Sequence, residues 1–485
     1  QTKSVYSRPL RACRRKEKKY LADNLVTHHC KLRANKKQEK KFVIDQLLSI
    51  KSASQTKSID SNAHQEPKKS PNSFPESEQM TASYSSDKTK QIKSSINQRS
   101  KKILKPTNPP TFDPSLLERN CYVCKKRFRE LHHFYDALCL ECAEFNYQKR
   151  TQKCDFGQRI ALVTGCRVKI GYEIALYLLR NNCKVIGTSR FPKDALERFS
   201  KEKDFDSFKD RLLIYPLNLR NLNSVENFVN HVYKTIPKLD ILINNAAQTI
   251  RRPPLYYQHL LAREAKPLTE FQNLAIFQCL PQNFGRLGCN EDGFRLQIQN
   301  DNAINTDITI EKSVAEHISG SVLESLIPLT MSDLNTNPEL FPQGVVDKDN
   351  QQVDLSEKTS WNKTIDEIEF AEFAETQVVN VWAPWLLCSK LKDLLLRSEN
   401  THKFIINVSS MEGKFHRFKK SFHPHTNMSK ASLNMMTRTL GPQYAEMNIL
   451  INSVDTGWVS EMVPEDQLRE KRIVPLDELD GAMRV

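Results

Sequence analysis

No stretch of this 485-residue chain approaches the roughly 18–20 consecutive apolar residues that a membrane-spanning helix requires, and no short apolar core follows a basic start. Neither a membrane span nor a secretory leader is expected within these residues. Positive charge is also scarce where it would matter. The formal net charge is +15, but residues 1–110 hold 25 Lys+Arg against 9 Asp+Glu, leaving 47 against 48 for residues 111–485. A balanced foldable part offers no broad phosphate-binding face, so nucleic acid is not the expected partner. Apolar periodicity is missing from the first 110 residues beyond Phe42-Val43-Ile44 and Leu47-Leu48. Burial there cannot offset chain entropy, and residues 1–115 read as a disordered basic tail. Within it, Arg11–Lys19 (RACRRKEKK) fits a nuclear-import signal or a loose nucleic-acid contact, although a solvated charged tail is the commoner use of such a run. Cys13, Cys30, His28 and His29 lack the paired spacing of a metal site.

The full 485 residues are room for two or three domains. Of the 12 cysteines, eight are scattered, several inside apolar runs where a thiol acts as a small core residue. That usage suits a reducing cytoplasm, or a nucleus if the basic run is an import signal, rather than a disulfide scaffold. The other four form two tight pairs, Cys121-Tyr-Val-Cys124 and Cys139-Leu-Glu-Cys142. Each pair puts two thiolates on one turn, and four thiolates close a tetrahedron around Zn²⁺, which substitutes for a core that residues 116–150 are too few to build. His132 and His133 lie between the pairs as competing ligands or as surface and supporting groups. Four thiolates leave no open position for catalysis, so the expected zinc is structural. Protein contact is as common a use of such knuckles as nucleic-acid contact.

From residue 157 strands and helices alternate: Arg159–Thr164 (RIALVT), a helix through Tyr172–Asn182, Lys184–Thr188, Arg211–Tyr215, a helix near 224–233, and Leu239–Ile243. The pattern resumes after 375 with a helix through Asn380–Lys392, strand Lys403–Val408, helix Ser429–Glu446 and strand Asn448–Val454. This is the signature of an α/β fold, a doubly wound parallel sheet covered on both faces. Residues 250–375 are polar, weakly periodic and too long for a loop, and are expected to be an insertion or lid.

The first strand opens onto Thr164-Gly165-Cys166-Arg167-Val168-Lys169-Ile170-Gly171. A glycine-rich turn between a first strand and a first helix lets backbone N–H groups approach a pyrophosphate. This turn resembles the TGxxxGxG turn of the short-chain dehydrogenase/reductase family, and further matches follow in the family's order. Asn244-Asn245-Ala246-Ala247 is similar to its NNAG element. Asn380, followed by Ala383-Pro384, resembles the helix asparagine of its catalytic tetrad. Ile406–Ser410 resembles the strand ending in the catalytic serine, matching Ser410, and Ser429-Lys430-Ala431 resembles the helix carrying the catalytic lysine, Lys430. Asn452–Val459 resembles the loop after the sixth strand. The matches cover 157–250 and 376–480, and the upstream cysteine pairs, the RVKIG turn, the run Asn244–Pro254 and the HPHTNM run resemble an atypical subgroup of the family.

The resemblance implies a Rossmann-like domain over 155–485 and a nicotinamide cofactor held by Thr164, Gly165, Arg167, Lys169, Ile170, Gly171, Arg190, Asn218, Asn245, Ala246 and Lys430. At the end of the second strand, where a carboxylate would accept from a ribose 2′-OH, stand Ser189-Arg190. An arginine there pairs with a 2′-phosphate, so NADP(H) is expected over NAD(H). Two departures bear on chemistry. Lys169 replaces a glycine of the turn and would crowd the pyrophosphate unless its ammonium pairs with it. The family's tyrosine, four residues before the lysine, is Thr426, a far weaker acid, and loss of a general acid costs roughly 10²- to 10⁴-fold in rate. His423 and His425, whose imidazoles titrate near neutrality, and Tyr256 and Tyr257 of the insertion are the substitutes at hand. Arg251 and Arg252 would meet an anion or lie in a solvated loop. Trp361, Trp382 and Trp385 are expected to form a buried wall.

Residues 475–485 resemble the helix before the family's last strand, so a fragment with an open sheet edge is expected. The functional expectation is an NADP(H)-dependent oxidoreductase acting on a small carbonyl or alcohol, with Asn380, Ser410, Lys430, Thr426 and His425 at the chemistry. The alternative is a weakly active cofactor-binding scaffold whose zinc module recruits a protein. The family's habit of pairing helices suggests a homo-oligomer.

Overall fold

The computed structural model describes residues 118–266, 318–334, 337–347, 349–460 and 474–485, and the backbone of 294–298 and 306–310. The tail 1–115 and its basic run lie outside the described residues. The chain first forms a small ribbon, β1 (Arg119–Asn120) against β2 (Arg127–Phe128), and a helix α1 (Leu140–Thr151). Then come β3 (Ile160–Thr164), α2 (Lys169–Arg180), β4 (Lys184–Ser189), α3 (Pro192–Ser200), β5 (Leu212–Pro216), α4 (Leu222–Thr235) and β6 (Ile241–Asn244). After the insertion follow α7 (Phe370–Gln377), a π-helical turn (Val378–Trp382), α8 (Ala383–Lys390), β9 (Lys403–Ser409), α9 (Pro424–Glu446), β10 (Ile449–Asp455) and α10 (Glu478–Ala482). Within the insertion are α5 (Gln258–Glu264), an antiparallel hairpin β7 (Phe294–Ile298) and β8 (Thr306–Ile310), and α6 (Gly320–Ser325). Among the described residues no helix is long and apolar enough to cross a membrane.

Six strands form one parallel sheet in the order β10-β9-β6-β3-β4-β5. Alternation along each strand decides which layer a side chain joins. Leu162, Ile186, Leu213, Tyr215, Leu242 and Ile405 face a core made with α4 and α8. Their neighbours Ala161, Val163, Val185, Leu212, Ile214, Ile241 and Ile243 face the opposite core, made with α2 and α3. Both faces are thus covered, which is why these strands read as unbroken apolar runs rather than alternating ones. Cys166, Cys183 and Cys388 lie in these cores, where burial pushes each thiol up to about 12, as expected of inert packing residues. Pro192 at the first turn of α3 starts a helix that the apolar pattern alone leaves hidden.

The strand order reverses at β3, which pairs with β4 on one side and β6 on the other. A crevice must open there above the carboxyl ends of the strands, because the following connections leave in opposite directions.

Candidate active site

Gly165 sits at the mouth of that crevice with φ of +70°. A Cβ on it would press on Ala246, and one on Gly171 would overlap the Gly165 carbonyl and the Asn245 side chain, so the turn is packed to backbone contact with the loop after β6. Thr164 binds the two together: its Oγ1 accepts the N–H groups of Asn245 (3.0 Å) and Ala246 (3.1 Å). Asn245 returns two bonds, to the carbonyls of Thr164 and Gly165, both at 3.1 Å. Lys169 adopts φ of +54°, the left-handed conformation a glycine would take without cost. It begins α2, whose first turn has no acidic residue and no side-chain cap. The orphan N–H groups of that turn therefore keep their partial positive charge at the crevice without a capping side chain or a first-turn carboxylate.

The arginines divide into free and committed. Arg167 is 8% exposed and bound to Asp194 (2.8 Å) and Gln351 (2.8 Å), so it props the insertion rather than reaching a ligand. Arg190 has no carboxylate partner among the described residues; it donates to the Tyr257 hydroxyl at 2.9 Å and lies over that ring. Burial raises the Tyr257 phenol, but Arg190, Arg220 and Arg252 outweigh it and hold it below its ordinary value. Asn218 is buried and accepts from Arg220 across the turn after β5. Arg251 and Arg252 are neither solvated nor open to a ligand. Arg251 joins Asp333 and Glu375 (2.7 Å to the latter), and Arg252 pairs with Asp354.

Around the expected chemistry, Lys430 is buried and donates to the Val408 carbonyl at 2.8 Å. Burial pulls its ammonium down to about 8, opposed only in part by the nearby Glu412. Asn380, at the centre of the π turn, exchanges bonds with the Gln248 backbone (2.7 and 2.9 Å) and donates to Ser429 Oγ (3.1 Å). Thr426 lies one turn before Lys430, buried, its Oγ1 without a hydrogen-bond partner among the described residues. Ser410 is half-buried just past the end of β9. The two histidines serve the insertion instead. His423 stacks on Trp361 with ring centroids 3.9 Å apart and donates its Nδ1–H to the Trp361 carbonyl at 2.6 Å. His425 faces Glu372 at 3.9 Å, and burial lowers it to about 4, which keeps it neutral near pH 7. Trp382 and Trp385, expected in a buried wall, are 52% and 57% exposed, because Ala383, Leu386 and Leu387 take the inward face of that helix.

The four thiols Cys121, Cys124, Cys139 and Cys142 converge, with all Sγ atoms within 4.8 Å of one another. His132 is buried nearby and accepts backbone N–H groups of Phe134 and Tyr135, so it supports the knuckle rather than joining the thiols.

Two family models match the chain, short chain dehydrogenase over 159–273 and enoyl-(acyl carrier protein) reductase over 355–474. The unmatched residues between them fall inside the insertion. An uncharacterized protein of Acanthamoeba polyphaga mimivirus is 28% identical over 382 residues, covering 76% of this chain and 70% of that protein. The (-)-isopiperitenone reductase of Mentha piperita is 40% identical over 90 residues, 18% of this chain and 29% of the reductase, so the chain spans under a third of that relative. The chicken fatty liver carbonyl reductase structure is 19% identical with a TM-score of 0.36, covering 62% of this chain and 81% of that one. With its sheet order, its glycine turn and both matched segments, this chain is similar to the short-chain dehydrogenase/reductase family of NAD(P)-dependent oxidoreductases.

Proposed function

We propose that the protein is an NADP(H)-dependent carbonyl reductase or alcohol dehydrogenase in which Lys430, rather than a tyrosine, is the proton source. The observation that carries this reading is the pairing of Lys430 and Thr426 on one buried helix face, with the amine at about 8 and the hydroxyl unbonded. NADP(H), when bound, supplies or accepts the hydride. The remaining proton must reach the carbonyl oxygen from a group that holds it near neutral pH and releases it readily. Lys430 meets that requirement, and the Thr426 hydroxyl, four residues earlier, can accept from the amine and donate onward without being acidic itself. Ser410 would orient the substrate oxygen. Asn380 acts on position: its bonds to Gln248 and Ser429 fix the helix start against the loop after β6.

Two features support the cofactor assignment. The N-terminus of α2 has no side-chain cap above a turn packed to backbone contact, and Arg190 at the end of β4 has no carboxylate partner among the described residues. A phosphate on the 2′-oxygen would find a cation there, whereas a bare ribose would find no acceptor. The four thiols fit a structural Zn²⁺, since a tetrahedron with Zn–S near 2.3 Å has edges of about 3.8 Å. Exposed Trp382 and Trp385 on one helix and Met428 and Met435 on α9 fit pairing with a second copy.

Calorimetric titration of the zinc-loaded chain is expected to show micromolar NADPH binding with NADH weaker. Absence of both would favour the scaffold alternative. Thr426→Tyr is expected to raise generic carbonyl-reductase activity by 10-fold or more, roughly the reach of a restored acid. In the native protein, reduction should be flat below pH about 8 and fall above it as Lys430 loses its proton; a profile unchanged through pH 9 would exclude the lysine.

A further inference from the structure

A unit of some thirty residues buries too little apolar surface to hold a shape alone, and the inner face of residues 118–151 is occupied by the chain's own dehydrogenase domain. Cys121, Tyr135, Leu138, Cys139 and Ala143 share one apolar cluster with Val459 and Leu476, and Ile170 packs against it. Polar contacts run along the same seam. The Tyr122 hydroxyl accepts the backbone N–H of Trp458 at 2.8 Å. Arg150 bridges Asp477 (2.6 Å) and Asp480 (2.9 Å), the Tyr135 hydroxyl donates to Asp480, and Arg484 reaches Asn146 at 2.6 Å. Gly457 has φ of +81°, and a Cβ there would come within 2.7 Å of Leu476 and 3.5 Å of the Tyr122 hydroxyl, so loop and knuckle close on each other without spare room. Trp458 and Val459 follow β10, and Ile170 opens α2. Both segments stand at the carboxyl ends of parallel strands, where a nucleotide lies in this topology.

We infer that the four-cysteine unit is an internal brace for the cofactor cleft. Metal at Cys121, Cys124, Cys139 and Cys142 shapes the knuckle, the knuckle fixes the loop 456–460 and the start of α2, and metal occupancy thereby sets NADP(H) affinity. Tyr122 is the direct link, adjacent in sequence to a thiol of the metal set and bonded to the loop. Without metal, the thiols have no reason to stay together, and the seam loses the residues between them. The coupling is reciprocal, so bound cofactor should also slow metal loss. This inference rests on the NADP(H) reading above, and the test separates the two.

NADPH is titrated into the full chain with zinc loaded, after chelation, and in zinc-loaded Tyr122→Phe, with amide exchange followed in 455–460 and 476–485. Chelation is expected to weaken NADPH at least tenfold and to remove protection in both segments. Tyr122→Phe, retaining its zinc, should weaken NADPH about two- to tenfold, the range of one lost hydrogen bond. Equal affinity and unchanged protection in chelated and loaded protein would overturn the brace. If zinc-loaded protein binds no NADPH, the cofactor reading fails by itself, and exchange alone decides: protection lost on chelation sustains the brace, protection kept overturns it. Should chelation unfold the whole chain, Tyr122→Phe decides, and unchanged affinity with unchanged exchange in that variant overturns the proposal.

Discussion

At Lys430 function and stability pull in opposite directions. Its buried amine has lost water and gained one carbonyl partner, so the charged form is penalised and the amine falls to about 8. The folded value lies below the unfolded one. Between pH about 8 and about 10.4 the unfolded chain therefore binds more protons, and this group's contribution to stability rises with pH across that window. Below it the full penalty of a desolvated ammonium remains. Lys430→Met keeps the side chain's length and removes the charge. It is expected to raise stability by about 1–2 kcal/mol at pH 7, with the gain shrinking toward pH 10, while abolishing reduction. Urea denaturation at the two pH values checks this; a destabilised variant would mean the ammonium is better satisfied than the carbonyl bond implies. The lysine was legible from the Ser429-Lys430-Ala431 resemblance. Its burial, which outweighs the nearby Glu412, was not, because that depends on which residues of β9 and the following turn pack against α9.

Among elements, the turn between β3 and α2 shows how a motif can change its letters and keep its shape. Lys169 stands where the resemblance calls for glycine, yet it takes φ of +54°. A non-glycine residue in that region costs about 1–2 kcal/mol, offset in part because a lysine has less backbone freedom to lose on folding than a glycine. Lys169→Gly is thus expected to change stability by no more than about 1 kcal/mol, in the stabilising direction, read as a shift in the urea midpoint. If the side chain crowds the pyrophosphate, the same variant will bind NADPH more tightly; if the ammonium pairs with phosphate, it will bind more weakly and with less salt dependence. Gly171 allows no such freedom. Gly171→Ala would force its methyl into the Gly165 carbonyl and should cost about 2–3 kcal/mol.

For the whole molecule, the insertion is the main surprise. Its polar sequence suggested an insertion or lid, and its described parts are held down by buried charge. Arg251 links Asp333 to Glu375, Glu375 also meets Arg220 at 3.2 Å, and Arg252 holds Asp354. Tyr256, Tyr257, Leu260, Val322, Leu323 and Phe341 join Phe191, which follows β4, in a third apolar cluster. Removing one partner of a buried pair leaves the others uncompensated, so Arg251→Ala should cost about 3 kcal/mol and expose the segment 318–334 to proteolysis before the sheet unfolds. A single cooperative unfolding with unaltered proteolysis would show that the apolar cluster holds the insertion without the arginine.

The alternation of strands and helices, the sheet covered on both faces and the glycine turn were readable in the chain because they depend on local periodicity and on residues adjacent in sequence. Unbroken apolar runs, helical spacing in Tyr172–Asn182 and the paired cysteines each specify their element within a dozen residues, and the structure places them accordingly. The fates of the charged and polar candidates were not readable. Arg167, Arg190, Arg251 and Arg252 look alike in the sequence, yet Arg190 alone is left without a carboxylate among the described residues, because the partners of the others arrive from positions as far as 184 residues away. His425 was offered as a proton carrier on its ordinary titration range, and burial, which outweighs the nearby Glu372, moved it below that range. A side chain's partner and its dielectric surroundings are set by long-range packing, which no local pattern encodes. The same holds for the four-cysteine unit: its spacing suggests a metal site, but only the folded chain decides that the unit leans on the loop after β10.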